Sequence, residues 1–238
     1  MTCFDSQVIR RMTAFQLDEC GRIPTLIQNP TPALKGLEDA IQTFVRTRQV
    51  DTPADAVTKT VSGRTCKKPR PNPTDRGYQI AITFCGANPV FEAVTGYRTL
   101  DIVGSAIVGW EDRELTGTNR VALEVIFEPS TDACAGGAAA QCIAVLIPFL
   151  EQWVKSGDET ADGETVPDLQ MQAQTALSKN LFANYANAAA LPVYLAHWAP
   201  KFAAIATGRS WMYSYLITCP VVFPKSGCTL TPIDESIS

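Results

Sequence analysis

The feature of this sequence that most constrains its fold is an alternation of apolar and polar residues with a period of two. In the segment 121–128 (VALEVIFE), Val, Leu, Val and Phe fall at every second position, and Glu124 and Glu128 fall between them. Successive side chains of a β-strand point to opposite faces of its sheet. The pattern is therefore typical of an antiparallel strand with one buried and one polar face, and we expect Glu124 and Glu128 on the polar face.

Five further segments carry strand signals. Aromatic and β-branched residues bounded by glycines predict a strand over 78–85, and alternation with glutamines predicts one over 168–175. The apolar run 143–150 predicts a strand that is buried on both faces. Residues 212–222 form another strand candidate. Residues 41–50 also favour a strand because of their β-branched residues, although the preceding residues fit a helical stripe as well.

Helix signals are scarce. A proline near its start and a glycine at its end predict a single short helix over about 89–96. The segment 51–76 is polar and rich in prolines, and loops of that length usually have a function. The sequence therefore predicts one mainly-β domain over 1–238, with an N-terminal arm over about 1–30 and a long loop over about 51–76.

The charge of the chain is unevenly distributed. The formal net charge is −4, but residues 1–80 hold 12 Lys/Arg against 8 Asp/Glu, so the rest of the chain is strongly acidic. The basic excess lies among prolines, which predicts an exposed loop and not a helix that enters a nucleic-acid groove. We expect this loop to be solvated or to contact an acidic neighbouring subunit. The basic residues are Arg64, Lys67, Lys68, Arg70 and Arg76.

Neither membrane insertion nor export is predicted. The apolar run 143–150 has eight residues, whereas a spanning helix needs about 18. The N-terminal residues 1–6 (MTCFDS) place an acid where a secretory signal has basic residues and an apolar stretch. We therefore expect the chain to fold in a cytoplasm, without a membrane partner.

The sequence predicts no catalytic, metal or cofactor site. The chain has a single histidine, His197, which lies among apolar residues and is expected to pack in the core. A Cys85–His197 pair is the weak alternative. The phosphate-binding, dinucleotide-binding and serine-hydrolase glycine motifs are all absent from the sequence. The acidic segment 158–164 lacks the residue order of a calcium-binding EF-hand loop, so we do not expect an enzyme.

The eight cysteines leave two interpretations open. They contain no Cys-x-x-Cys pair, so a local zinc site is not expected. One interpretation is that they are buried, unpaired thiols, which behave as small apolar residues. The other is that a few form disulfides late, as an extracellular particle allows. The short-loop pairs would then be Cys134–Cys142 and Cys219–Cys228.

Four short motifs follow one another within residues 11–155. They are LDECG at 17–21, FCGANP at 84–89 followed by an apolar stretch that ends in Thr-Gly, ALEV at 122–125, and LIPF at 146–149. This ordered set resembles the major tail tube proteins of long, flexible-tailed (siphovirus-type) phages, especially those that infect actinobacteria. Residues 181–206, rich in alanine and aromatic residues, have no counterpart in the pattern.

The resemblance implies a β-sandwich or barrel-like tail tube fold with one flanking helix, long loops and assembly into six-fold rings. Stacked rings would form the tail tube, the conduit for genome DNA and the tape-measure protein from capsid to host. The implied partners are further copies of the chain, the tape-measure protein, the tail terminator and the baseplate or distal tail proteins. DNA would pass without specific binding, and the protein would be assembled in the host cytoplasm and reside in the virion.

The implied assembly suggests where the charged residues lie. A basic lining would bind phosphate and stall the DNA, so we expect the acidic strands near the lumen, with Glu124 and Glu128 facing it. The basic segment 59–76 would then dock onto an acidic surface of the next ring. The contact candidates are Lys59, Arg64, Lys67, Lys68 and Arg70 on one side and Asp158, Glu159, Asp162 and Glu164 on the other.

Three alternatives remain open. Tail terminators and other head–tail connector components share the tube fold, so the chain fits those roles as well. A protein of another class, a surface or secreted β-sandwich binding module, would also explain the strands and the cysteines. An enzyme that uses Cys85 or an acidic pair would require a pocket with a perturbed titrating group.

Overall fold

The strands that the alternation predicts are present. A computed structural model describes residues 7–24, 35–38, 41–51, 57–59, 62, 65–67, 74–85, 89–103, 106–112, 119–129, 141–156, 168–175, 181–208 and 210–218. The described part is mainly β, with a curled half-barrel sheet, which confirms the predicted fold class. Its strands are β1 (Gln7–Gln16), β2 (Lys35–Glu38), β3 (Ile41–Asp51), β4 (Val57–Lys59), β5 (Thr65–Lys67), β6 (Thr74–Cys85), β7 (Arg98–Val103), β8 (Ala106–Asp112), β9 (Val121–Pro129), β10 (Gln141–Ser156), β11 (Asp168–Thr175) and β12 (Tyr213–Thr218).

One large antiparallel sheet organises the molecule. Its strand order is β2-β1-β9-β10-β11-β6-β3, and β12 also pairs with β10. Strand β10 spans sixteen residues, so one of its edges has room for two partners. Its first part pairs with β12 and its last part with β11, while β9 pairs along the opposite edge. Two hairpins, β4–β5 and β7–β8, are separate from this sheet.

Two bulges bend the long strand β10. Its pairing with β9 skips from Ile147 to Leu150, and Pro148 lies in this gap, where its missing N–H breaks no sheet hydrogen bond. Its pairing with β11 skips a residue near Gln152, which has a φ of 58°. Bulges bend a strand and increase its twist. They therefore contribute to the curl of the sheet.

The curl brings distant strands together. Phe44 of β3 and Phe127 of β9 lie with their ring centroids 6.0 Å apart, although β10, β11 and β6 separate these strands within the sheet. The space inside the curl is filled by an apolar cluster, the inner core. Its buried members are Met12, Ala14, Ile80, Ile82, Phe84, Phe91, Val94, Tyr97, Val121, Leu123, Val125, Phe127, Val145, Ile147, Leu150, Trp153 and Ala173.

A second apolar cluster, the outer core, lies on the opposite side of β1, β9, β10 and β12. There the C-terminal layer, residues 181–206, packs against the sheet. The buried members are Phe15, Leu17, Ile23, Ala122, Ile126, Cys142, Ala144, Leu146, Leu181, Phe182, Leu191, Leu195, Trp198, Ile205 and Ile217. Strand β9 and most of β10 are thus buried on both faces, as predicted for 143–150.

The predicted short helix is confirmed as α1 (Pro89–Thr95). Gly96, at φ 97°, ends it, and the N–H groups of Gly96 and Tyr97 donate to the carbonyl oxygens of Ala93 (3.1 Å) and Glu92 (2.8 Å). This is the Schellman arrangement, which needs a left-handed residue that glycine supplies without strain. Helix α1 supplies Phe91 and Val94 to the inner core.

Three parts of the chain contain elements that the sequence did not predict. Residues 7–16 are not part of an arm, since β1 lies between β2 and β9 inside the sheet. The segment 51–76 is not simply a loop: β3 extends to its start, β6 begins at Thr74, and the β4–β5 hairpin lies between them. The C-terminal layer contains 3₁₀ turns over Ala188–Ala190 and Val193–Lys201 and a six-residue helical turn, α2 (Phe202–Thr207).

In the part of the chain that the structure describes, no helix has the length and apolar character required to cross a membrane.

Candidate self-association edge and the buried Glu124 cluster

Strand β3 is the last strand at one end of the sheet. It spans eleven residues, none of which is buried, and it pairs with β6 along one edge. Among the described residues, no strand pairs with its other edge. A free edge presents a row of unpaired N–H and C=O groups that can pair with another chain. Strand β3 is therefore the candidate self-association edge of this molecule.

This edge shows little of the protection that monomeric proteins give their edge strands. Val45 and Val50 are 50% and 47% exposed, and the strand contains no proline or lysine. It does carry Arg46 and Arg48, but Arg48 forms a salt bridge of 2.8 Å with Asp75 on the paired strand. Arg46 donates to the sulfur of Met212 at 3.2 Å. Both guanidinium groups thus have partners within the same chain.

The basic residue Arg76, which the sequence grouped with the exposed basic loop, lies on β6. Its guanidinium pairs with the carboxylate of Asp51 at the end of β3. Together with the Arg48–Asp75 pair, this places two cations and two anions side by side at one end of the β3–β6 ribbon. Exposed pairs of this kind contribute little to stability. They do cancel the local charge at this end of the free edge.

Glu124 is a buried acidic residue, and the prediction that it faces a lumen is wrong. Its side chain is 1% exposed, because the C-terminal layer covers this face of β9. Arg11 Nη2 donates to Glu124 Oε2 at 2.9 Å, and Trp198 Nε1 donates to Oε1 at 2.6 Å. His197 Nε2 also bonds to Oε1. We call these four residues the Glu124 cluster.

The Glu124 cluster joins the sheet to the layer that covers it. Arg11 and Glu124 belong to neighbouring strands, β1 and β9, whereas His197 and Trp198 belong to the C-terminal layer. A buried carboxylate is costly unless charged and hydrogen-bonding partners compensate it. Burial by itself would raise the pKa of Glu124, but His197, Arg11 and Trp198 together lower it to about 2. The carboxylate is therefore held in its charged form.

A second polar contact fixes the same layer. Asp18, which follows β1, accepts hydrogen bonds from the backbone N–H groups of Cys20 and Arg22, both at 2.9 Å. Asn184 of the C-terminal layer donates to the carbonyl oxygen of Ile23 at 3.0 Å. Burial would raise the pKa of Asp18, but its hydrogen bonds to Arg22 and Asn184 lower it on balance.

The motif LDECG at 17–21 thus has a structural explanation in this chain. Asp18 organises the turn, and Gly21 has a φ of 76° that suits glycine. A Cβ atom at Gly21 would lie 2.8 Å from the ring of Phe149. Phe149 is the last residue of the LIPF motif, so two of the four motifs meet at this turn.

Acid is expected to weaken this fold through Glu124. Because the pKa of Glu124 is about 2 in the folded chain and 4.5 ordinarily, its contribution is complete above about pH 5 and disappears as the pH falls through the folded value. The shift corresponds to about 3 kcal/mol of unfolding free energy. Urea denaturation of the wild type and Glu124→Gln at several pH values should show their stability difference shrinking between pH 5 and pH 2. A constant difference would contradict this role.

The remaining predicted site residues are only partly described. Glu128 is partly buried at the end of β9. Lys59 and Lys67 lie on the β4–β5 hairpin, where Lys59 pairs with Thr65 and Lys67 with Val57. The other contact candidates lie outside the described residues: Arg64, Lys68, Arg70, Asp158, Glu159, Asp162 and Glu164.

The cysteines are described in part as well. Cys142 is disulfide-bonded, so at least this cysteine is not a free thiol, and Cys20 is a free, exposed thiol. The predicted partner Cys134 and the pair Cys219–Cys228 lie outside the described residues. The alternative pairing of Cys85 with His197 has no support, because the ring of His197 bonds to Glu124.

The sequence did not identify Arg11 or Trp198 as partners of Glu124. The one sequence signal that pointed to such partners was the adjacent pair His197 and Trp198. Both can donate hydrogen bonds, and they lie in a segment that is otherwise almost free of charge. Among the described residues, no group of three or more His, Cys, Asp or Glu side chains is placed to hold a metal ion. Comparison with protein-family models and with curated protein sequences finds no match for this chain.

Proposed function

We propose that this protein is a structural subunit of a phage virion that assembles through its sheet edges into stacked hexameric rings. The rings form a tail tube through which DNA and the tape-measure protein pass. The observation that carries the proposal is the free edge of β3, which is long, exposed and poorly protected against pairing. Such an edge is a liability in a monomer, and pairing with a neighbouring copy removes it.

The opposite end of the sheet offers an edge of a different kind. There β2 pairs only with Met12–Phe15 of β1, so residues 7–11 of β1 have no partner on that edge among the described strands. Contact between two unlike edges is head-to-tail. Head-to-tail contacts generate a closed ring when the rotation from one subunit to the next adds up to a full turn. A curled sheet supplies a rotation from one subunit to the next.

The Glu124 cluster has a structural role in this proposal. It anchors the C-terminal layer to β1 and β9, which keeps the sheet rigid while its edges pair with other subunits. The ordered motifs of the sequence add the phage tail tube resemblance, with its hexameric rings and its partners: the tape-measure protein, the tail terminator and the baseplate or distal tail proteins. The protein would be assembled in the host cytoplasm and reside in the virion tail, where DNA passes without specific binding.

Negative-stain electron microscopy of the purified protein over a range of concentrations tests the proposal. Rings of uniform diameter, or tubes built from them, are the expected result. Rings that never stack would favour the related role of tail terminator or head–tail connector component. Monomers at every concentration would contradict self-assembly and favour the surface-displayed or secreted binding module.

A further inference from the structure

One exposed face of the sheet is almost free of charge. The pairing registers place Val154 of β10, Gln172 of β11, Ala81 of β6 and Val45 of β3 side by side in one row across four strands. These side chains point away from the inner core, since the alternating residues Ile80, Ile82 and Ala173 belong to it. We call this side of the four strands the neutral face.

The neighbouring row has the same character. Glu151, Gln174, Gln79 and Thr47 follow one another across the same four strands, and Glu151, which is partly buried, is the one charged residue of the two rows. The two ends of the first row, Val45 and Val154, are 50% and 57% exposed. These two rows therefore consist of amides, hydroxyls and small apolar groups, with a single carboxylate.

Side-chain hydrogen bonds tie this face together. Gln49 Nε2 donates to Gln79 Oε1 at 3.3 Å, and Gln79 Nε2 donates to Gln172 Oε1 at 3.1 Å. These bonds link β3, β6 and β11 through amides that carry no charge. The amides thus satisfy part of their hydrogen-bonding capacity within the face.

The cations next to this face are directed elsewhere or paired. Lys155, which follows Val154, places its Nζ 3.1 Å from the carboxylate of the buried Glu92 on α1, on the inner side of the sheet. Arg48 and Arg76 at the end of the ribbon are bound to carboxylates. Arg46 lies between Val45 and Thr47 on β3, so its side chain points to the opposite side of the sheet. Affinity for nucleic acid depends chiefly on lysine and arginine that neutralise phosphates. A polyanion that passes over the neutral face would find no cation there to hold it.

The rest of the same side of the sheet is not available to a passing molecule. Over β1, β9 and the first part of β10, this side is covered by the C-terminal layer and forms the outer core. The neutral face begins where that cover ends, beyond the bulges of β10, and continues to the free edge of β3. It is thus the exposed part of this side that adjoins the edge through which subunits would pair.

We propose that the neutral face lines the bore of the assembled tube and is the surface along which a polyanion slides. This inference rests on the proposed self-assembly. It replaces Glu124 and Glu128 as the lumen-facing residues. In a ring closed by edge pairing at β3, the neutral face of each subunit adjoins the next subunit at Val45, so each subunit supplies one stretch of amide and hydroxyl groups to the wall of the bore.

The test uses a Gln172→Cys variant in a Cys20→Ser background, which removes the exposed thiol of Cys20, with the Cys20→Ser protein as the matched control. Preformed tubes are treated with a small biotin-maleimide, separated from the excess reagent and probed with gold-labelled streptavidin. A second sample is dissociated after the maleimide step, and its incorporated biotin is measured. Streptavidin binding and biotin incorporation are also measured on unassembled monomers, in which residue 172 is accessible, and these values define complete labelling.

The expected result is that Gln172→Cys takes up biotin in tubes, whereas streptavidin binding along the tubes falls to the level of the control. This combination identifies a water-filled surface that a large protein cannot enter. Streptavidin along the tube would place the face outside, and loss of biotin uptake would place it in a subunit contact. Either result would overturn the inference without affecting self-assembly.

Two other outcomes are also decisive. If the Cys20→Ser and wild-type proteins both fail to form rings or tubes, the proposed function fails, and the bore assignment fails with it. If only the Gln172→Cys variant fails to assemble, a cryo-electron microscopy reconstruction of wild-type tubes decides the question. Strands β3, β6 and β11 must then present their glutamine-bearing face to the bore.

Discussion

Replacing Glu124 with alanine is expected to lower the unfolding free energy by about 3–5 kcal/mol, the cost of breaking a buried ion pair by removing one partner. The truncation leaves Arg11 and the indole N–H of Trp198 without their acceptor in a buried site, and it removes the partner of His197. Chemical denaturation followed by tryptophan fluorescence measures the loss, since Trp198 lies in the cluster itself.

The matched control is Glu111→Ala, which removes the same side chain from an exposed position on β8. Exposed substitutions away from special contacts usually change stability by less than about 0.5 kcal/mol. Glu124→Gln, which keeps one carbonyl oxygen as an acceptor, should fall between the two variants. Equal stability of Glu124→Ala and Glu111→Ala would show that the cluster does not hold the C-terminal layer to the sheet.

Lysine at both Val45 and Val50 is expected to abolish assembly and leave the monomer folded. Both side chains are about half exposed in the isolated chain, so the monomer gains two solvated ammonium groups at small cost. Pairing of β3 with another strand would bring these charges against the partner and remove them from water, as in the charged edge strands of natural monomers. Negative-stain microscopy and size-exclusion chromatography should show monomers at concentrations where the wild type forms rings or tubes.

The control for this variant is Val108→Lys, at a position that is 64% exposed on β8, away from the main sheet. If assembly requires the edge of β3 specifically, Val108→Lys should assemble like the wild type. If both variants assemble normally, β3 does not carry the contact. If both fail, loss of exposed apolar surface or added charge explains the effect better than strand pairing does.

The sequence predicted the strands whose side chains alternate and whose ends carry glycine or proline. Strands β6, β9 and β11 fall close to their predicted positions for this reason, and α1 was found through its boundary residues. Strand β1 was missed, because two consecutive arginines interrupt its apolar pattern and its register shifts between Ile9 and Arg11. The alternation rule assumes an unbroken pleat, which a bulge removes.

The position of Glu124 could not be predicted from its own strand. An acid between apolar residues normally indicates a solvent-facing side, and that interpretation holds when the sheet has one covered face. Here the second face is covered by a layer more than fifty residues further along the chain, which also supplies His197 and Trp198. That layer consists largely of 3₁₀ turns and irregular structure, so it carries no clear period by which sequence reasoning could identify it.

The lateness of that layer in the chain has a consequence for synthesis. When β1, β9 and the first part of β10 emerge from the ribosome, one apolar face of these strands is exposed to solvent. The residues that pack against this face, 181–217, are synthesised later. Until these residues are synthesised, Ala122, Ile126 and Leu146 remain exposed to solvent, and Glu124 lacks two of its three hydrogen-bonding partners. A nascent or prematurely terminated chain that lacks these residues therefore has an incomplete sheet, so assembly of subunits has to wait until residues 181–217 have been translated.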